Sequence, residues 1–140
     1  MNDARDKAPF AWPVRVYYED TDAQGVVYYA NYFRFMERAR TEWLRALGVD
    51  QVAMLETERR MFVVTATEAE FLKPARFNDE IVVTAALAKL SRASFEIDQN
   101  IYRSSLDGPL LLRGRIRAAC IHADTLRPTR VPAIFEENPT

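Results

Sequence analysis

Between positions 32 and 47 the apolar residues Tyr32, Phe35, Met36, Ala39, Trp43, Leu44 and Leu47 recur at helical spacing, with Arg34, Glu37, Arg38 and Arg40 mostly between them. Residues three or four apart share one helix face, so this stretch is an amphipathic helix with one broad stripe. Asn31 reads as its N-cap and Gly48 as its C′ stop, which gives roughly 16 residues. Tyr32, Phe35 and Trp43 put three aromatic rings on that stripe. Such a helix is stable only when a large apolar surface covers it.

The remaining segments supply that surface as strands. Val14–Glu19 has the composition of a first strand, and a short helix fits Gln51–Glu58. Met61–Leu72 is rich in Val, Thr and Phe and stops at Lys73-Pro74, where proline removes a ladder donor. Glu80–Leu90 is nearly all β-formers and alanines. Ala93–Arg103 alternates, with Phe95, Ile97 and Ile101 against Glu96, Asp98 and Asn100. In Leu110–His122 the residues Leu110, Leu112, Ile116, Ala118 and Cys120 oppose Arg113, Arg115 and Arg117. Asp107-Gly108 is a turn signal between the last two. Short connections favour an antiparallel sheet, and one broad helical stripe favours a two-layer α+β domain of five strands around the helix. Residues 1–12 read as a flexible lead-in, 13–135 as one domain and 136–140 as a C-terminal tail. With Pro128, Pro132 and Pro139, the chain after Leu126 reads as extended.

A chain of 140 residues forms one domain that buries about two-thirds of its unfolded surface. A net charge of −1 gives no basic field for nucleic acid. Cys120 and His122 are the sole cysteine and histidine, which excludes an intramolecular disulfide framework and argues against a zinc site. The start of the chain lacks the apolar core of a signal peptide, and no apolar run approaches the ~20 residues that span a bilayer. These features describe a soluble, cytoplasmic domain without membrane insertion.

Chemistry concentrates in Asp20-Thr21-Asp22-Ala23-Gln24-Gly25-Val26-Val27-Tyr28-Tyr29-Ala30-Asn31-Tyr32, between the first strand and the helix. A carboxylate beside a helix N-terminus faces free backbone N–H groups that favour developing negative charge. A base or nucleophile next to an oxyanion site is the minimal equipment for acyl transfer. Turn chemistry explains an Asp-x-Asp equally well. Asp20, Asp22 and Gly25 also match the first, third and sixth positions of a calcium loop, but Gln24 and Asn31 stand where further acids belong. A sugar-nucleotide metal motif needs a larger domain.

The other polar groups are weaker candidates. Tyr28, Tyr29 and Tyr32 read as core or interface aromatics, although the Tyr29 backbone N–H lies just upstream of the helix. Cys120 reads as a buried hydrophobe, and His122 as structural, since no Gly-x-Ser-x-Gly elbow accompanies it. Arg113, Arg115 and Arg117 form either a solvated face or a basic stripe for phosphates or an acidic carrier protein. Ser91-Arg92-Ala93-Ser94 offers a second phosphate-capable cluster in a turn.

The run from Tyr18 to Tyr32, continued by Phe35-Met36-Glu37-Arg38-Ala39-Arg40-Thr41-Glu42, resembles the signature of the 4-hydroxybenzoyl-CoA thioesterase family. Weaker likeness continues through Phe71-Leu72-Lys73-Pro74-Ala75-Arg76-Phe77-Asn78-Asp79 to Pro132. Within the family the likeness is greatest to small acyl-CoA thioesterases associated with the Tol–Pal cell-envelope system. The resemblance implies a hotdog fold, an acyl-CoA substrate, no cofactor, and homodimers or homotetramers with sites between subunits. It implies that Asp22 is the catalytic carboxylate and that the Tyr29 N–H polarises the thioester carbonyl. Gly25, Val26, Asn31 and Tyr32 are candidates to line the substrate site, and Arg92 and Ser94 match a turn that contacts the nucleotide end of coenzyme A. Tyr29 departs from the Tol–Pal-associated pattern, which often has His there; the aromatic-CoA branch has Tyr. The expected reaction is hydrolysis of a small or aromatic acyl-CoA. The alternative is a non-catalytic module that binds an acyl carrier protein or an envelope-biogenesis partner; a dehydratase lacks a suitably placed histidine.

Overall fold

The computed structural model describes residues 9–137. The elements run β1 (Phe10–Arg15), α1 (Asn31–Leu47), α2 (Gln51–Glu58), β2 (Arg60–Phe71), β3 (Glu80–Leu90), β4 (Ser94–Arg103), β5 (Leu110–His122) and α3 (Ile134–Glu137). All the strands form one antiparallel sheet in the order β1-β3-β4-β5-β2. This is the expected α+β hotdog arrangement, with β1 and β2 at the edges. No helix among the described residues is long and apolar enough to cross a membrane.

The helical stripe is buried as its spacing requires: Tyr32, Phe35, Met36, Ala39, Trp43 and Leu44 all lie in the core. They meet Ile81 and Val83 of β3, Phe95, Ile97 and Ile101 of β4, and Leu112, Ile116, Ala118 and Cys120 of β5. Gly48 ends α1 with φ 98°, a left-handed cap that glycine adopts without penalty. One polar group enters this apolar layer. Gln99 is fully buried; its amide donates to the Met36 carbonyl at 3.0 Å and its Oε1 accepts from Arg40 at 3.1 Å.

Several sequence expectations shift. The first strand is Phe10–Arg15 and not Val14–Glu19, so it takes in Phe10, Ala11 and Trp12 from the expected lead-in; residues 1–8 lie outside the described residues. Pro13 is tolerated because β1 is an edge strand. The chain then leaves the sheet through a 3₁₀ turn at Tyr18–Asp20. Asn31 is not the cap of α1: Ala30 holds that position, and the Asn31 amide is committed to Asp20. In β5 the alternation breaks at Leu111, which is buried beside Leu112, because a register shift in the pairing with β4 lies there. The end of the chain is not simply extended. Val131 and Phe135 are buried, and Phe135 stacks on Phe95 with ring centroids 4.8 Å apart. Glu136 therefore belongs to α3 rather than a tail, and residues 138–140 lie outside the described residues.

Over Gly114 the helix and the sheet leave no room for a side chain. A Cβ there would stand 2.9 Å from both the Gln99 carbonyl oxygen and the Met36 methyl carbon. Real side chains do not pack that tightly, so Gly114→Ala must push α1 and β4 away. Overpacking of this kind costs about 1–3 kcal/mol, readable as a lowered urea midpoint with an unchanged slope.

Candidate functional site at the start of the long helix

The loop from Tyr17 to Asn31 is held by Asp20. Its Oδ2 accepts from the Tyr17 N–H at 2.8 Å, its Oδ1 from the Asn31 amide at 2.7 Å, and its carbonyl from the Tyr28 N–H at 2.9 Å. Both carboxylate oxygens are thus occupied. A calcium ligand at this position would have to surrender those bonds, and no cluster of three or more His, Cys, Asp or Glu side chains among the described residues is placed to hold a metal.

Asp22 stands differently. Its N–H donates to the Val26 carbonyl and its own carbonyl accepts from Gly25, closing a tight turn in which Gly25 has φ 79°. One carboxylate oxygen, Oδ1, accepts from the Gln24 N–H at 2.9 Å. The other has no protein donor among the described residues, and the residue is only partly buried. Of the two acids, Asp22 is the one with an oxygen to spare.

The turn is fastened to the segment after β2. Val27 donates to the Ala75 carbonyl at 2.8 Å, Val26 bridges Arg76, and the Tyr32 hydroxyl accepts from the Ala75 N–H at 3.0 Å. Burial pushes the Tyr32 phenol up, and the charges of Asp79 and Asp22 add to that. At the helix start Asn31 donates back to Tyr28 and Tyr32 to Tyr29. The N–H groups of Tyr29 and Ala30 find no acceptor among the described residues. They are free donors at the positive end of α1.

Beside them lies a groove of about 240 Å³ lined by Val27, Tyr29, Tyr32, Phe71, Leu72, Lys73 and Pro74. Phe71 packs against Tyr32 at 5.7 Å and edge-on to Tyr29 at 6.5 Å. Tyr28 and Tyr29 are 48% and 60% exposed, so in a single chain neither is a core aromatic; Tyr32 is. The Tyr28 phenol is pushed up by its hydrogen bond to the Tyr29 side chain. Sequence reasoning gave the groove residues Phe71, Leu72 and Lys73 no role at the site; their signals were the proline that ends β2 and the weaker family likeness of this stretch.

The structure brings Asp22, Gly25, Val26, Tyr29, Asn31 and Tyr32 into this one region. It does not bring Arg92 and Ser94 there. Arg92 sits in the turn before β4 and Ser94 opens that strand; Ser91 donates to the Ser94 carbonyl and Val131 to the Arg92 carbonyl. The far end of β4 is nearer the groove, since Arg103 donates to the Pro74 carbonyl at 2.7 Å and pairs with Asp79. The strand between Ser94 and Arg103 is roughly 30 Å long at the usual rise per residue. His122 is at the end of β5, with Nδ1 accepting from the Asp124 N–H at 3.2 Å. Cys120 is buried, which pushes its thiol up and leaves it unreactive. Two of the three arginines on β5 are paired, Arg113 with Glu70 at 3.3 Å and Arg115 with Asp98 at 2.8 Å, and Arg117 has no carboxylate partner among the described residues.

Comparison with known proteins identifies the family and the fold. Residues 16–138 match the thioesterase-like superfamily. The acyl-CoA thioesterase YbgC of Haemophilus influenzae is 37% identical over 123 residues, 88% of this chain and 88% of that protein. A DHNA-CoA thioesterase from Staphylococcus aureus superposes with a TM-score of 0.81 at 26% identity, over 91% of this chain and 83% of that one. The 4-hydroxybenzoyl-CoA thioesterase of Pseudomonas sp. strain CBS-3 shares the fold with a TM-score of 0.85, at 22% identity over 93% of this chain and 99% of that one. A turn that spares one Asp22 oxygen, next to free N–H groups on a wrapped helix, is thus found in a chain that belongs to the thioesterase-like superfamily.

Proposed function

We propose that this chain hydrolyses acyl-CoA thioesters to a carboxylic acid and free coenzyme A. The observation that carries the reading is the pairing of an underused Asp22 carboxylate with unpaired N–H groups at the start of α1, beside an apolar groove. A thioester carbonyl whose oxygen meets the Tyr29 N–H gains its stabilisation as the oxygen becomes negative. The free oxygen of Asp22 then attacks the carbonyl carbon to give a mixed anhydride and the CoA thiolate, which water later cleaves. Alternatively it takes a proton from the attacking water. In both routes one water is consumed, its oxygen ends in a carboxyl group, and a proton goes to the thiolate.

Asp20 and Asp22 are expected to separate cleanly in thiol-release assays against short-chain, long-chain and aromatic acyl-CoAs. Asp22→Asn keeps the fold and lowers kcat by more than the about 10²–10³ typical of losing one oxyanion donor. Asp20→Asn lowers the melting temperature more and kcat less, since its charge holds the loop together. Wild-type rates from Asp22→Asn would overturn the mechanism.

Coenzyme A is long, and the groove engages only its reacting end. Arg92 and Ser94 are proposed to hold the nucleotide end across a contact with a second copy, in a homodimer or homotetramer. The free outer edge of β2, with Val64 49% and Phe71 49% exposed, supports such pairing. On this reading Arg92→Ala raises KM for an acyl-CoA at least about tenfold, the loss of one charge-assisted contact, with kcat unchanged. The same substitution leaves KM for the matching acyl-pantetheine unaltered, because that substrate has no nucleotide. An equal rise for both substrates would remove Arg92 from nucleotide binding.

A further inference from the structure

Between the reacting end of coenzyme A and its nucleotide lies the pantetheine arm, which neither the groove nor Arg92 holds. A short antiparallel ladder beside Asp22 sets its direction. Val27 donates to the Ala75 carbonyl and Val26 bridges Arg76, so residues 74–77 run alongside residues 25–28 in the opposite sense. Pro74 and Val27, at one end of this ladder, line the groove. Phe77 stands at the other end, three residues and at most about 10 Å of chain from Pro74. Asp22 belongs to the same ladder, since its N–H donates to the Val26 carbonyl at 2.9 Å. A thioester with its acyl group in the groove and its carbonyl at Asp22 therefore sends its thiol arm toward Phe77.

Two exposed rings are held together at that end. Tyr18 and Phe77 stack with centroids 3.7 Å apart and planes 7° apart, yet they are 75% and 40% exposed. Neither ring joins the core. The stack lies by the exit of β1, at the sheet edge opposite β2. Both backbones are fixed: the Tyr18 carbonyl accepts from the N–H and the hydroxyl of Thr21, and the Asn78 N–H donates to the Val16 carbonyl at 2.9 Å. Exposed apolar surface held this firmly is what ligand sites present. Arg76 adds a charge. Its N–H donates to Asp79 Oδ2 at 2.9 Å, but its guanidinium has no acceptor among the described residues. The acids that follow it are engaged elsewhere, Asp79 by Arg103 and Glu80 by Arg15.

We propose that the Tyr18–Phe77 stack and Arg76 bind the phosphopantetheine part of the acyl-CoA; the identity of this ligand rests on the acyl-CoA reading above. The order of groups along the arm matches the order of residues. Its pantoate unit carries two geminal methyl groups, which cover aromatic carbon, and the phosphate follows directly after them. A guanidinium next to the rings receives that phosphate in a charge-assisted pair. Arg92 is left with the adenosine end beyond it.

Isothermal titration of the full chain with 4′-phosphopantetheine and with pantetheine tests the subsite without turnover. Phosphopantetheine binds at least about tenfold more tightly than pantetheine, as one charge-assisted contact requires. Arg76→Gln removes an exposed guanidinium that holds nothing in the fold, and brings phosphopantetheine down to the affinity of pantetheine. Tyr18→Ser weakens both probes about fivefold, because the methyl groups lose half their cover. Equal affinity of the wild-type chain for the two probes, an unaltered ratio in Arg76→Gln, or undiminished binding by Tyr18→Ser would overturn the proposal. So would a wild-type chain that binds neither probe. Thiol release from acyl-CoAs, measured on the same preparation, separates the two readings. Turnover without phosphopantetheine binding removes this subsite alone, and binding without turnover removes the hydrolysis alone.

Discussion

The close approach of α1 to the sheet over Gly114 is the contact on which the site depends. With no side chain at that position, the Met36 methyl group and the Gln99 carbonyl can share the space above β5. Gln99 then reaches the Met36 carbonyl from the sheet, which fixes the helix along its axis as well as its height. A helix held in both directions has a fixed first turn. The free N–H groups of Tyr29 and Ala30 are therefore positioned by packing several residues away as well as by the loop bonds to Asp20.

The two aspartates of the loop divide its work. Asp20 ties the end of the 3₁₀ turn to the first residue of α1 by using both carboxylate oxygens. That makes it a structural cross-link between strand exit and helix start, and removes it from chemistry. Asp22 is held by its backbone and by one oxygen, so its orientation is set while its second oxygen stays open. The Tyr32 hydroxyl performs a similar service from the helix side, accepting from Ala75 and so joining the loop after β2 to the groove. Three separate parts of the chain converge here through backbone bonds, which explains how an exposed loop keeps a defined shape.

Much of this was legible in the sequence because the signals were local. The spacing of Tyr32 to Leu47 fixed one helix face, and the alternation in Ala93–Arg103 fixed one sheet face, whatever lay elsewhere. The boundaries of α2, β3 and β5 followed from composition and agree with the structure. Non-local facts were harder. β1 depends on pairing with β3, about seventy residues away, so Phe10–Trp12 looked like a lead-in until its partner was known. Phe135 joins the core through Trp43 and Phe95, and nothing in a proline-rich ending announces that. Gln99 had the polarity of an outward residue, yet it occupies an inward position and is satisfied there by α1 and Arg40. The groove residues Phe71 to Pro74 needed the fold to be seen beside Tyr29.

Unpaired groups are costly, and their distribution separates structure from function. Among the described residues no buried side-chain nitrogen or oxygen lacks a hydrogen-bond partner, so the interior is fully satisfied. At the helix start, one oxygen of Asp22 and the N–H groups of Tyr29 and Ala30 have no partner among the described residues. On the proposed reading, a bound carbonyl oxygen meets these N–H groups as fixed dipoles that need no reorientation as charge develops. The same loop that satisfies every bond of Asp20 leaves these few open. That selectivity is what the proposed function draws on.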